Sequence, residues 1–319
     1  MGAPPGVGLF PDVAAMRLAL LGRPGEVVSG GDLYDLELAR ELRARGHEVS
    51  AWVHRDTQVT LVDGILFRDW RPEGVARNVG LIHVPASFLD DDPKLPALEQ
   101  AFFDRLDAVQ FVSELVRRDT AARFRLPVRQ WVVEPGVGAP RVGERNNDVL
   151  IVGVGAVLPH KRVREAMEVF TALSLVPGWS GEWLGDLTLA PDYVKSLRPP
   201  PQVTLRGRVS HDQVQYTLAS ATALLTTSRY ESWGFAAAEA LQSGVPVIGG
   251  TPSGLALFLG GAGHLNVEGP ALVDTLHKLI EEPARRSRLQ LEARRAAARL
   301  PGWPRCADLT ASRLQTWVA

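Results

Sequence analysis

The stretch Ala223-Leu224-Leu225-Thr226-Thr227-Ser228-Arg229-Tyr230-Glu231-Ser232-Trp233-Gly234-Phe235-Ala236-Ala237-Ala238-Glu239-Ala240-Leu241-Gln242, continued by Ser243 to Gly249, decides how this chain is read. Ala223 to Thr227 is an apolar run suited to a strand. A polar loop, Ser228 to Trp233, follows, then a helix of small residues from Gly234 to Gln242 and a strand from Pro246 to Gly249. Strand, helix and strand at this spacing form a βαβ unit and imply a parallel sheet. In open parallel sheets ligands bind beyond the carboxyl ends of strands, so the loop Ser228 to Trp233 is a candidate site. The helix start near Gly234 offers free N–H groups to an anion. Glu239, inside a helix of alanines, needs a partner or a hydroxyl ligand to justify its burial.

The same alternation extends in both directions. Upstream, Val149 to Val154 reads as a strand buried on both faces, followed by a loop to His160 and a helix from Val163 to Leu173. Strands are expected at Thr188 and at Val203 to Leu205, with a helix from His211 to Ser220. Downstream, Pro270 to Leu300 reads as one helical stretch, and a last helix starts near Pro304. The first half repeats the pattern. A strand, Met16 to Leu21, leads through a glycine-containing loop to a helix marked by Leu33, Leu36, Ala39 and Leu42 and stopped by Gly46; a strand follows from His47 to Val53. Further strands are expected at 60–67, 80–84, 108–112 and 129–133. The Pro/Gly-rich stretch 134–147 reads as a linker. At 319 residues the chain has room for two domains, at about 150 residues each. The fold class is therefore α/β, with two doubly wound parallel-sheet domains.

Composition narrows the function. The net charge is −1, which disfavours nucleic acid as a partner. Residues 1–145 carry 18 basic and 21 acidic side chains, a net of −3, which argues against electrostatic membrane docking. The uncharged run Ala240 to Val267 is broken by Pro246, Pro252 and several glycines, so stable membrane insertion is not expected. The single cysteine, Cys306, excludes an intrachain disulfide. Residues 1–15 lack the pattern of a signal peptide and are expected to be a flexible extension; a cytoplasmic location follows. Only Lys94, Lys161, Lys195 and Lys278 are lysine, leaving 31 of the 35 basic side chains as arginine.

Three strand-end loops can carry chemistry: Ser29-Gly30-Gly31, Gly155 to Lys161, and Ser228 to Gly234. The glycines of the first would let backbone amides approach a phosphate. In the second, Gly153-Val154-Gly155-Ala156-Val157-Leu158 fails the dinucleotide fingerprint, because Leu158 stands where a small residue is needed; a nicotinamide dehydrogenase is set aside. Three adjacent carboxylates, Asp90-Asp91-Asp92, read as a solvated loop rather than a metal site.

Glu231 and Glu239 match the Glu-x7-Glu signature of retaining GT-B glycosyltransferases, and the surroundings resemble glycosyltransferase family 4. Gly244-Val245-Pro246-Val247 and Gly30-Gly31 with Gly46-His47-Glu48-Val49 are similar to that family, as are Asp107-Ala108-Val109 and Val154-Gly155 with Pro159 and Lys161. The resemblance implies a GT-B fold: a first domain over 16–140 serving the acceptor, a donor domain over 148–302, and a C-terminal helix, 303–319, returning to the first domain, with the active cleft between the domains. It implies a retaining, metal-independent transfer of sugar from a nucleotide-sugar donor, with no cofactor, to an unidentified carbohydrate, lipid or small-molecule acceptor. Glu231, His83 and Lys161 take the catalytic positions. Gly30, Gly31, Lys161, Arg208, Val209, Ser232, Trp233, Gly234, Phe235 and Glu239 take the donor-binding positions, with Glu239 on the ribose hydroxyls.

The chain departs from the family at Ala156, where a diphosphate-binding arginine is usual, and His160, Arg162 or Arg164 are the candidates to replace it. Ser232 replaces a glycine, and Glu134-Pro135-Gly136-Val137-Gly138 lacks the usual Asn and Asp. Competing readings are a nucleotide-sugar binding GT-B protein of weak or no transferase activity, and a nucleotide-sugar epimerase.

Overall fold

The computed structural model describes residues 14–23, 29–141, 148–261 and 263–318. Most of the expected extension, part of the linker and the loop 24–28 lie outside these. The first domain carries β1 (Arg17–Leu21), α1 (Gly30–Ala44), β2 (Glu48–Ser50), β3 (Val59–Asp63), β4 (Arg77–Ile82), α2 (Leu95–Phe103), β5 (Ala108–Phe111), α3 (Glu114–Ala121) and β6 (Arg129–Val132). The second carries β7 (Val149–Val154), α4 (Val163–Ala172), β8 (Trp179–Leu184), α5 (Pro191–Ser196), β9 (Val203–Gly207), α6 (His211–Ser220), β10 (Ala223–Leu225), α7 (Phe235–Gln242), β11 (Val247–Ile248), α8 (Gly254–Leu259), β12 (His264–Leu265), α9 (Gly269–Glu281) and α10 (Pro283–Ala297), and α11 (Trp303–Val318) closes the chain. Each domain has one six-stranded sheet, in the orders β2-β1-β3-β4-β5-β6 and β12-β11-β10-β7-β8-β9, and every pairing is parallel.

Period-2 alternation builds the second domain's two cores. Val149 and Ile151 of β7 face one cluster with Ala223, Leu225 and Ile248, whereas Val152 faces the other with Leu224 and Val247. Helices cover both faces, as a buried parallel sheet requires. In the first domain α11 supplies Trp303, Cys306, Ala307, Ala311 and Leu314 to the core beside Tyr34 and Leu42 of α1. Gln110 ties the layers together, donating to the Tyr34 hydroxyl at 2.8 Å and to Thr310 Oγ1 at 3.1 Å. The return path runs alongside the linker: Val137 N–H donates to the Pro301 carbonyl at 2.9 Å, and a Cβ on Gly136 would lie 2.2 Å from Trp303 N.

Two expectations are corrected. The strand placed at Thr188 is Trp179–Leu184; Thr188 instead bonds Asp186 in the turn beyond it. Ser180, Gly181 and Glu182 hide that strand's apolar pattern, yet Gly181 is needed, since a Cβ there would press on Val203 at 2.9 Å. Likewise a Cβ on Gly153 would lie 2.1 Å from the Trp183 ring, so this glycine serves strand packing. The stretch from Pro270 to Leu300 is two helices, because Pro283 cannot donate and clashes with the preceding turn, and so starts α10 anew.

Ser29, Gly30 and Gly31 are helix start rather than free loop. Ser29 caps α1, accepting from Asp32 N–H at 3.3 Å. Ser29→Ala is expected to cost about 1 kcal/mol, read as a melting temperature lower by about 2–4 °C.

Candidate functional site

The candidate site is stitched together by backbone bonds between the loops that follow β7 and β10. Arg229 N–H donates to the His160 carbonyl at 2.7 Å, and Thr227 Oγ1 donates to the carbonyls of Lys161 and Arg162 at 3.1 and 3.0 Å. Arg162 takes φ +49°, a left-handed conformation rare for a side-chain-bearing residue, and it opens α4 directly after Lys161. The lysine stem packs over Gly155, where a Cβ would lie 3.4 Å from Cε.

These constraints place Lys161 Nζ 2.6 Å from Glu231 Oε1, while Ser228 Oγ donates to the same oxygen at 2.7 Å. Burial opposes the Glu231 charge, but the Lys161 ammonium and both hydrogen bonds outweigh it and hold the carboxyl below its ordinary range. The main chain of this loop is also fixed. Glu231 N–H donates to the Pro252 carbonyl at 2.9 Å, Gly254 N–H to the Glu231 carbonyl at 3.1 Å, and Leu255 N–H to the Trp233 carbonyl at 2.9 Å. Gly234 takes φ +102° at the cap of α7, which favours glycine there. The Trp233 indole is buried against Phe258, 5.5 Å between centroids.

Glu239, one helix further, is paired. Its Oε1 lies 2.6 Å from His211 Nε2 at the start of α6. The hydrogen bond to the Glu239 carboxylate raises the His211 pKa against the opposing effect of burial. Arg208 is exposed immediately beyond β9, and Val209 packs partly buried on the cluster containing Trp233. Arg164 is turned away from the loop, donating to Ser196 Oγ at 2.8 Å and lying 5.6 Å from the Tyr193 ring centroid, so it does not replace the cation absent at Ala156.

The first domain meets this surface directly. A Cβ on Gly30 would lie 2.5 Å from the Phe235 ring, which stacks on Trp303 at 6.1 Å and 18°. Ser113, the cap of α3, donates through Oγ to the Ser232 carbonyl at 2.5 Å. Arg229 donates to the Phe88 carbonyl at 2.7 Å and pairs with Asp91 at 3.5 Å, while the Tyr230 ring meets Phe88 edge-on at 5.7 Å. The residues on both sides of Glu231 therefore rest on the opposite domain. His83, just beyond β4, lies against Gly31, where a Cβ would sit 3.2 Å from Cδ2.

Of the residues singled out in the sequence, Lys161 and Glu231 touch one another, as do Gly30 and Phe235, and Gly31 and His83. Glu239 and Arg208 stand apart from these contacts. Sequence reasoning placed Ser228 in the candidate loop but gave it no role, gave none to Ser113, and missed His211 and the Asp35 and Asp63 beside His83. Asp63 was findable, as an acid at the carboxyl end of an apolar strand. So was Asp35, which occupies the buried stripe of α1 with Leu38 and Leu42.

The profile of the family described as "Glycosyl transferases group 1" matches residues 139–296. Over these residues the second domain is similar to the group 1 glycosyl transferases. A D-inositol 3-phosphate glycosyltransferase of Nocardiopsis dassonvillei is 29% identical over 199 residues, covering 60% of this chain and 44% of the relative. D-inositol 3-phosphate glycosyltransferase 1 of Catenulispora acidiphila is 31% identical over 197 residues, covering 60% and 46%. The chain thus spans under half the length of these curated relatives. Two solved structures share the whole fold. HepE of Anabaena, in complex with UDP and glucose, superposes with TM-score 0.75 at 14% identity, over 94% of this chain and all of that one. Sucrose-phosphate synthase of Thermosynechococcus elongatus superposes with TM-score 0.74 at 14% identity, over 93% and 98%. The architecture of the chain is GT-B. Among the described residues no helix is long and apolar enough to cross a membrane.

Proposed function

We propose that the chain transfers a sugar from a nucleoside diphosphate donor to an acceptor hydroxyl, with retention at the anomeric carbon and without a metal, as a member of glycosyltransferase family 4. The observation that carries this reading is the Lys161–Glu231 pair, fixed at the carboxyl ends of β7 and β10 beside the start of α7. In the transfer the C1–oxygen bond of the donor breaks as the acceptor oxygen bonds C1, negative charge gathers on the leaving diphosphate, and the acceptor's hydroxyl proton passes to that diphosphate. Lys161 and the α7 amides supply the opposing charge in a fixed geometry. Glu231 holds the sugar side and Glu239 the ribose hydroxyls, with His211 orienting the Glu239 carboxylate. His83 and Gly30-Gly31 approach from the first domain. The relatives' names make a phosphorylated cyclitol the first acceptor to test, and a cytoplasmic location is part of the same reading. Ala156 favours one alternative, a nucleotide-sugar binding protein of low turnover, because a diphosphate cation is absent there.

A thermal-shift panel of UDP, GDP, TDP and ADP sugars tests the donor. At 100 times the dissociation constant, binding adds about 2.7 kcal/mol of apparent stability, so one base is expected to raise the melting temperature by several degrees. Glu239→Ala is expected to remove that shift. A flat panel would sink the donor-binding reading; a shift without nucleotide release from any acceptor mixture would favour the low-turnover alternative.

A further inference from the structure

His83 sits between two buried carboxylates that the transfer reading does not use. Asp35 Oδ1 lies 3.3 Å from His83 Nε2 and Asp63 Oδ1 lies 3.9 Å away. The side chains of His83, Asp35 and Asp63 are only 13%, 9% and 5% exposed, so water screens this charge cluster little. Both acids are built in. Asp63 ends β3 and its Oδ1 accepts from Ile65 N–H at 3.0 Å. Asp35 comes from the buried face of α1, and Gly22 makes its space: a Cβ there would lie 2.6 Å from Asp35 Oδ2, an oxygen with no hydrogen-bond partner among the described residues. The Tyr34 ring meets the imidazole edge-on at 5.1 Å. Two buried carboxylates around one imidazole are costly unless the ring carries charge.

We propose that Asp35 and Asp63 are positioning residues that grip His83 through Nε2 and so leave Nδ1–H as a fixed donor for the sugar–diphosphate substrate. The inference rests on the transfer reading for the identity of that substrate. Among the described residues Nδ1 has no protein acceptor, so the grip uses one nitrogen and spares the other. Burial alone would push the imidazole pKa down, but Asp63 and Asp35, with Asp32 one turn earlier, outweigh it and raise it to about 9. Tyr34 is the other titratable group against the ring, and its own pKa is raised, so it stays neutral. A histidine raised in this way keeps its charge until pH nears 9, and it contributes stability that is fully present below its ordinary range and lost as pH climbs through about 9. It is thus a donor, not a base, at neutral pH.

The test is a pH titration of the full chain labelled with 15N-histidine, with His83 assigned by its loss in His83→Gln. Asp35→Asn and Asp63→Asn are each expected to lower the His83 midpoint by more than one pH unit, and the alkaline limb of kcat/KM is expected to move down with it. Either variant suffices if the other does not fold. Midpoints equal to wild type overturn the proposal, and so does an alkaline limb that stays in place while the midpoint moves. The three groups could instead hold a metal, since their ligand atoms lie within 4.8 Å of one another; stoichiometric Zn2+ abolishing the titration, or EDTA abolishing turnover, overturns the proposal in that direction. Absence of turnover with every donor removes the transfer reading, and the midpoints then decide the grip by themselves.

Discussion

Lys161→Met is expected to lower kcat/KM for nucleotide release by about 10²–10³-fold, the usual cost of removing one fixed charge-stabilising donor from a reaction centre. In the proposed transfer the lysine has two jobs at the same atom: it neutralises Glu231 in the resting site and would face the charge that develops on the diphosphate. Glu231→Gln removes the other half of the pair and keeps its shape. Because the two groups share one hydrogen bond, the double variant is expected to lose far less than the product of the single losses. The linkage gives an independent check. In the wild type the Glu231 carboxyl is held down, so its contribution to stability is present above the ordinary carboxylate range and is lost as pH falls through its depressed pKa. In Lys161→Met the buried carboxylate has lost its cation, its pKa rises, and stability is expected to improve as pH falls from 7 towards 5. Over that range the Glu231 contribution is level in the wild type, whereas the melting temperature of Lys161→Met should rise as pH falls. Parallel slopes would mean that Lys161 does not govern Glu231, and turnover unchanged by Lys161→Met would remove the lysine from the reaction.

The architecture was legible in the sequence because parallel sheets buried on both faces are written as continuous apolar runs, such as Val149 to Val154. The strand Trp179–Leu184 was not, since Gly181 is tolerated where a bulky neighbour from the next strand, Val203, fills the space. No local pattern reports such a contact. The loop after β10 was legible for the same reason the fold was: its glutamates sit at fixed offsets from a strand end and a helix start. Partners that come from distant elements were invisible. His211 is 28 residues from Glu239 and Asp35 is 48 from His83, and pairing over such separations is decided by strand order alone. Arg164 shows the opposite failure: proximity in sequence to Lys161 suggested a second cation, yet the helix turns that side chain towards Ser196 and Tyr193.

Gly254→Val is expected to abolish most turnover while leaving each domain folded. A Cβ at this position would lie 2.2 Å from the Ser232 carbonyl oxygen and 2.5 Å from Ser113 Cβ, which are backbone and short side chain with nowhere to retreat. The clash therefore falls on the seam between α3 of the first domain and the Glu231 loop of the second. Relief comes only by moving the loop or by parting the domains, and either breaks the Ser113–Ser232 bond. Gly254 N–H also holds the Glu231 carbonyl, so the loop loses its register as the seam opens. Overpacking of this kind costs about 1–3 kcal/mol, or a melting temperature lower by about 2–12 °C, which is modest beside a turnover loss expected to exceed about 10²-fold from misplacing the reacting groups. Gly138→Ala is the matched control: nothing lies within 4 Å of a Cβ there, and it should change neither quantity. Small-angle scattering on Gly254→Val is expected to show a larger radius of gyration than the wild type. Unchanged scattering together with full activity would mean that catalysis does not use the apposition of Ser113 and Ser232. Unchanged scattering with lost activity would place the damage in the Glu231 loop alone. An expanded particle with lost activity is the expected pattern, because the same short bond both joins the two domains and fixes the residue beside Glu231.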